Sequence, residues 1–302
     1  MASTLAIELQ GLTKFYGHFQ ALYGVDLAIQ QGEIFGFLGP NGSGKTTTIR
    51  CLLDMIRPQA GTLRVLGLDP QRQSLKVRRR VGYLPGELHF EDHFSVHDAL
   101  SFLNHLRGGR ADWDFVRHLA RELDLDMRWK FKKLSKGNKQ KVGVIQALMH
   151  RPELLILDEP TGGLDPLMQK TVLRLAQQAR DQGATVFFSS HVLSEVQEIA
   201  DRVAIIRKGR VIEVAEVETL INRSIRKVRV WFKTKVDVQS LVDLPNVTLL
   251  SAEDNAALFQ VEGALDQFIK VLAPLPVRDL DVQRPTLEEI FLNYYANDEQ
   301  GG

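Results

Sequence analysis

Gly39-Pro40-Asn41-Gly42-Ser43-Gly44-Lys45-Thr46 is a complete G-x-x-x-x-G-K-[ST] sequence. No other stretch constrains the fold as strongly, because the pattern needs a buried strand before it and a helix N-terminus after it. Glycines adopt backbone angles that other residues resist, so consecutive N–H groups turn inward as a nest for phosphate oxygens. Lys45 adds a mobile positive charge for the β- and γ-phosphates, and the Thr46 hydroxyl is placed to hold Mg²⁺. The motif therefore predicts nucleoside triphosphate binding, with Gly39, Pro40, Asn41, Gly42, Ser43, Gly44, Lys45, Thr46 and Thr47 around the phosphates. The flanks agree: Glu33-Ile34-Phe35-Gly36-Phe37-Leu38 reads as a buried strand, and Thr47 to Leu53 as an amphipathic helix.

Leu154-Leu155-Ile156-Leu157 is a short aliphatic run suited to a central parallel strand, and it ends in Asp158-Glu159. In open α/β sheets ligands bind at the C-terminal edge, so Asp158 is a candidate for the Mg²⁺ shell and Glu159 for polarising the attacking water. Between loop and strand lies Leu134-Ser135-Lys136-Gly137-Asn138-Lys139-Gln140-Lys141, in which Ser135 alone reads as the N-cap of a helix running to His150.

The order of these three segments resembles the ATP-binding cassette (ABC) family, whose nucleotide-binding domains carry an L-S-G-G-Q-like signature at the place of Leu134 to Asn138. The resemblance covers roughly residues 5 to 220 and implies roles for further residues. An aromatic ahead of the phosphate loop stacks on adenine in that family, and Tyr16 stands at the matching position, with Phe15 beside it. Gly163-Leu164-Asp165 matches the D-loop, and Asp165 is assigned with Ser135 and Gly137 to the nucleotide sandwich. His191, after Phe187-Phe188-Ser189-Ser190, matches the switch histidine and joins Glu159 and Lys45 as the catalytic set. Two departures stand out. Val81-Gly82-Tyr83-Leu84-Pro85-Gly86-Glu87 resembles the Q-loop, but Gly86 occupies the glutamine position; either Glu87 substitutes as a metal ligand or the loop only couples movement to a partner. In the signature, Lys136 replaces a glycine and Asn138 a glutamine.

Length and composition bound the rest. The 302 residues suffice for one large domain and one small one, and 44% hydrophobic with 25% charged residues is ordinary for globular chains. A formal charge of +1 provides no broad field to attract nucleic acid, and Arg78-Arg79-Arg80 and Arg128 to Lys133 read as solvated faces. Cys51 is the single cysteine, which excludes an intramolecular disulfide and reads as packing. No apolar stretch approaches the roughly 20 residues of a membrane span, and no signal pattern opens the chain, so a cytoplasmic location is expected.

Along the chain, Leu5 to Gln30 reads as two strands, the second alternating in a way that favours an antiparallel partner. Ser95-Val96-His97-Asp98 is a capping-box-like start, with Leu100, Leu103 and Leu106 on one helix face, and Trp113 to Leu123 continues a helical lobe spanning about 87–134. Ala184 to Ser189 and Val203 to Ile206 supply further strands. After about Arg223, Val228, Val230 and Phe232 alternate with Arg229 and Trp231 in what reads as an exposed strand. The segments that follow give the order β-α-β-β-α-β, and Leu287, Ile290, Phe291 and Tyr294 mark a terminal helix.

The expected fold is therefore α/β: a phosphate-loop cassette with a mixed sheet, an N-terminal antiparallel β-subdomain and a helical lobe over residues 1–222, then a small α+β domain over 223–302. The resemblance implies an ATP-hydrolysing subunit that binds ATP and Mg²⁺, dimerises with a second ATP-binding subunit, and drives a separate transmembrane permease from the cytoplasmic membrane face. L-P-G-E after the strand and the tail Arg284-Pro285-Thr286-Leu287-Glu288-Glu289-Ile290-Phe291 look like bacterial exporters of drugs, antibiotics or lipid-like molecules. A soluble ABC ATPase of ribosome or DNA work is the first rival, but the chain has neither two cassettes nor a long coiled-coil interruption. A nucleotide-regulated binding module is the second, and Glu159 argues for hydrolysis instead.

Overall fold

The computed structural model describes residues 5–88, 90–109, 111–222 and 226–283. It divides after Ala215 into two units, the second beginning at Glu216. In the first, β1 (Leu5–Tyr16) and β2 (Phe19–Gln30) form an antiparallel hairpin. Alternation along β2 buries Leu22, Val25, Leu27 and Ile29 on one face. After β3 (Ile34–Leu38) and α1 (Lys45–Leu52) the chain returns as β4 (Ala60–Val65), which the sequence reading did not anticipate. It pairs antiparallel with β1, setting Ile7 opposite Val65 and Leu9 opposite Leu63, and completes a three-stranded sheet.

Next come α2 (Ser74–Arg80), β5 (Val81–Leu84), α3 (Val96–Leu106), α4 (Trp113–Glu122) and α5 (Lys136–Leu148). They are followed by β6 (Leu154–Asp158), α6 (Pro166–Asp181), β7 (Thr185–Ser190), α7 (Leu193–Ile199), β8 (Arg202–Arg207) and β9 (Arg210–Glu216). The six-stranded sheet has the order β5-β6-β7-β3-β8-β9, and its first five strands run parallel. Its central strands are buried on both faces, which is why Leu154 to Leu157 and Val186 to Phe188 are continuously apolar. Helix α1 shares one core with both sheets: Ile49 and Leu52 are buried with Ile7 and Leu9 of β1, Phe35 and Phe37 of β3, and Phe187 of β7. The Phe37 and Phe187 rings lie 5.5 Å apart. Cys51 is part of this core, and burial pushes its thiol up to about 11.

The capping box at α3 is present: Ser95 Oγ accepts from the Asp98 N–H at 3.1 Å, and the Asp98 carboxylate accepts from the Ser95 N–H at 2.9 Å. The apolar face read for this helix is narrower than expected, because Leu100 is fully buried while Leu106 is 65% exposed. The basic run Arg78-Arg79-Arg80 is not simply solvated. Arg78 Nε donates to the Leu53 carbonyl just past α1, and Arg80 forms two hydrogen bonds to Glu153, at 2.7 and 2.6 Å.

The second unit holds α8 (Val217–Asn222), β10 (Arg226–Phe232), α9 (Gln239–Val242), β11 (Val247–Glu253), β12 (Ala256–Val261), α10 (Asp266–Leu272) and β13 (Val277–Gln283). Its antiparallel sheet has the order β11-β12-β10-β13, a split β-α-β-β-α-β arrangement. Strand β10 was expected to be exposed, but it is central. Val228, Val230 and Phe232 are buried under Leu241, Phe268 and Leu272, and only the alternate face, with Arg229, is open. The anticipated terminal helix and the 284–291 tail lie outside the described residues. Among the described residues, no helix is long and apolar enough to cross a membrane.

Candidate functional site

Strands β3, β6 and β7 end at one edge of the parallel sheet, and their register brings the chemistry together. Leu38 pairs with Ser190 and Asp158 with Ser189, so the loops after the three strands open side by side. The Gly39 N–H donates to the Ser190 carbonyl at 3.2 Å. A Cβ on Gly39 would stand 2.3 Å from the Ile206 carbonyl oxygen, so only glycine fits there. Gly44 turns the loop into α1 at φ +113, a conformation that side-chain-bearing residues rarely adopt.

Lys45 is 5% exposed, and its ammonium is folded back over the loop. It donates to the carbonyls of Gly39 at 2.6 Å and Pro40 at 3.2 Å, and pairs with Glu159 Oε1 at 3.1 Å. Ser43 Oγ is buried without a hydrogen-bond partner in the protein. An unmet buried hydroxyl costs about 1–3 kcal/mol, so its presence beside a buried cation and a glycine nest fits a polyphosphate ligand.

Asp158 is 2% exposed, and its Oδ1 accepts from Ser189 Oγ at 2.6 Å. Together with the half-buried Thr46 it offers hard oxygen donors, the set that suits Mg²⁺ when phosphate and water complete the shell. Glu159 leaves the strand at φ +52, and several partners hold it. Its N–H meets both the carbonyl and the Oγ of Ser189 at 3.2 Å, and Gln140 Nε2 donates to the Glu159 carbonyl at 2.9 Å and the Pro160 carbonyl at 3.0 Å. Between its carboxylate oxygens it faces Lys45 on one side and His191 Nδ1, at 2.5 Å, on the other. His191 is half exposed, so its ring lies between this carboxylate and the open edge. A carboxylate aimed by a cation, an imidazole and two backbone anchors can accept a proton from a water at that edge.

The remaining candidates occupy other positions. Ser135 is exposed and caps α5, accepting from the Asn138 N–H at 3.2 Å. A Cβ on Gly137 would lie 2.6 Å from the Gly163 carbonyl oxygen, so α5 presses its first turn against the loop that follows Glu159. Asp165 caps α6, with Oδ1 accepting from the Leu167 and Met168 N–H groups at 3.0 Å. Tyr16, 44% exposed, ends β1 with Lys14 Nζ 5.4 Å from its ring centroid, whereas Phe15 is half-buried. In the Val81–Glu87 segment, a Cβ on Gly86 would point to within 3.9 Å of Asp158 Oδ2, while Glu87 is exposed. Position 86 thus faces the Asp158 carboxylate, and it carries no side chain.

Ser189, Gln140 and Glu195 were missed by sequence reasoning. Each left a trace: two serines close an otherwise apolar strand, and Gln140 begins the buried stretch that continues to Ile145. Glu195 shows as one of the acidic residues of α7, two positions after its start.

Fold and loop together define a P-loop nucleoside triphosphatase with an antiparallel arm and a helical lobe. Residues 22–162 match the family model described as ABC transporter. The chain is 36% identical over 221 residues to the bacitracin transport ATP-binding protein BcrA of Bacillus licheniformis, covering 72% of each chain. It is 32% identical over 306 residues to the daunorubicin/doxorubicin resistance ATP-binding protein DrrA of Streptomyces peucetius, covering 96% of this chain and 92% of that one. A solved ATP-binding subunit of an ABC transporter superposes with a TM-score of 0.66 at 27% identity, covering 71% of this chain and 91% of that one. The chain belongs to the ATP-binding proteins of ABC transporters and has their ATPase fold. Subunits of this kind dimerise and work with a transmembrane permease.

Proposed function

We propose that this chain hydrolyses Mg²⁺-ATP at the edge formed by β3, β6 and β7 to drive a separate permease that exports drug-like or antibiotic molecules, held at the cytoplasmic membrane face by that permease. The observation that carries the catalytic part is the Lys45–Glu159–His191 cluster, three residues from three loops joined through one carboxylate. In this reading the loop from Gly39 to Thr47 binds the phosphates, and Thr46 and Asp158 hold Mg²⁺, which when bound neutralises charge on the phosphate oxygens. Glu159 accepts the proton of the attacking water, and His191 orients that carboxylate and reaches the γ-phosphate. Ser135, Gly137 and Asp165 complete the site of a second subunit. Gly86 faces the Asp158 carboxylate without a side chain, so it would offer no ligand to a Mg²⁺ held there, and Glu87 is exposed rather than turned toward Asp158. Export is supported by the names of the relatives, which are transport and resistance proteins for bacitracin and daunorubicin/doxorubicin.

Tyr16→Ala is expected to weaken ATP binding by about 1–3 kcal/mol, as loss of base–aromatic stacking does elsewhere, with turnover at saturating ATP changed less. Titration with a fluorescent ATP analogue checks this, and a loss produced by Phe15→Ala instead moves the role one residue back.

The permease is expected at the aromatic recess of the helical lobe. Phe90, Phe94, Phe102, Glu91 and Asp92 line a cavity of about 650 Å³. Phe90 lies 5.0 Å from the buried Phe131 ring, so it serves packing, whereas Phe102 is 47% exposed. Apolar rings beside two carboxylates fit a basic amphipathic helix. Co-expression with a cognate permease tests the assignment: Phe102→Asp should lower co-purification and drug efflux while the isolated subunit retains its ATPase activity. Co-purification and efflux equal to wild type would place the permease elsewhere.

A further inference from the structure

Behind the catalytic edge, Glu195 of α7 is a carboxylate only 5% exposed. One of its oxygens accepts from Thr161 Oγ1, and the other from Ser190 Oγ at 2.7 Å. Ser190 Oγ in turn accepts from the Val192 N–H at 2.9 Å. Burial raises the proton affinity of Glu195 above that of an ordinary carboxyl, and the two hydroxyl hydrogen bonds, which favour the charged form, offset only part of the rise. A buried charge is tolerated only where hydrogen bonds meet it, and an apolar residue of like size is often the more stable choice. The positions of its partners suggest why the charge is there. Thr161 stands two residues after Glu159, and Ser190 immediately precedes His191.

We infer that Glu195 is a positioning residue for ATP hydrolysis, clasping the loop after β6 to the end of β7 through Thr161 and Ser190 so that the Glu159 carboxylate and the His191 ring meet. The inference rests on the ATPase reading above. Both hydroxyls donate, so the site calls for two acceptors, which a carboxylate supplies. A glutamine would turn one of them into a donor. At Ser190 the hydroxyl would then accept twice, from the amide and from the Val192 N–H, and would have to turn its proton away to the Val192 carbonyl 3.3 Å off, which lengthens the donated bond from 2.7 Å. The clasp is separate from the contacts that seat Glu159 from below, which come from Ser189 and Gln140. It ties the loop after β6 to the last residue of β7, from which the His191 loop departs, without touching Glu159 itself.

The test uses the purified full chain with Thr161→Val, Ser190→Ala, the double variant, Thr161→Ser and Glu159→Gln, reading kcat and KM for ATP beside the thermal midpoint. Thr161→Val and Ser190→Ala should each lower kcat about ten- to a hundredfold with KM changed by less than about twofold, since small misplacement of a reacting group acts on the transition state. Thr161→Ser, which restores the hydroxyl, should recover most of the loss, and the double variant should be no slower than the slower single one. Unchanged kcat with a lowered thermal midpoint would make the network structural only and overturn the clasp. So would a raised KM at unchanged kcat, or Thr161→Ser as slow as Thr161→Val. Glu159→Gln separates the two levels of the argument. If it is inactive while the hydroxyl variants are unaffected, the clasp alone falls; if it turns over like wild type, the proton acceptor is misassigned and the clasp falls with it.

Discussion

Glu159→Gln is expected to preserve ATP binding and to lower turnover by about 10²- to 10⁴-fold, the usual contribution of a positioned general base. The substitution keeps size and shape, so the backbone contacts to Ser189 and Gln140 should survive. It removes the proposed acceptor of the water proton, and with it the negative partner of Lys45 and His191. ATP then binds but is not consumed, and ATP-bound dimers should accumulate. Phosphate release and size-exclusion chromatography in ATP measure the two effects. Turnover near wild type would remove Glu159 from the chemistry whatever the family resemblance implies.

Lys45→Met should have its main effect one step earlier, on binding. The ammonium is nearly fully buried and already folded over the loop by the Gly39 and Pro40 carbonyls, so little ordering is required to reach phosphate oxygens. Hydrogen bonds to charged groups contribute about 1.5–3 kcal/mol, which corresponds to about a ten- to hundredfold rise in the ATP dissociation constant. Turnover should fall as well, because the same charge would face the γ-phosphate as it leaves. Isothermal titration with ATP checks the binding loss, and circular dichroism checks that the loop still folds. An unchanged dissociation constant would mean that Lys45 serves Glu159 alone.

These variants act on residues visible in the linear sequence because their chemistry depends on local spacing. The nest from Gly39 to Thr46 needs only consecutive backbone N–H groups, and the strand before it and the helix after it were legible from their apolar patterns. The same holds for Ser135 and Ser95 as caps, since a cap is satisfied within three residues of its own chain. Strand β10 was misjudged for the complementary reason. Val228, Val230 and Phe232 look alike in an edge strand and a central one, and only the pairing of both neighbours, β12 and β13, shows which it is. Strand β4 was overlooked because Ala60-Gly61-Thr62 lacks the apolar alternation that marks a strand by itself; its partner β1 supplies the pattern.

The sequence by itself determined the phosphate loop, the Asp158-Glu159 strand end, the signature segment and their order, and therefore the class of protein and its use of a nucleoside triphosphate. Tertiary structure alone decided how Glu159 is held. Ser189 and His191 at the end of β7, Gln140 and Lys45 come from three other segments, between 19 and 114 residues away, and meet at this one residue only because parallel register aligns Asp158 with Ser189 and Leu38 with Ser190. The same register brings Thr161 and Ser190 within reach of Glu195. Periodicity reports which face of an element is buried; it carries no information about which strand lies beside which. In a sheet of order β5-β6-β7-β3-β8-β9 the neighbours of the phosphate-loop strand come from far along the chain, so the contacts that aim the reacting groups are set by packing.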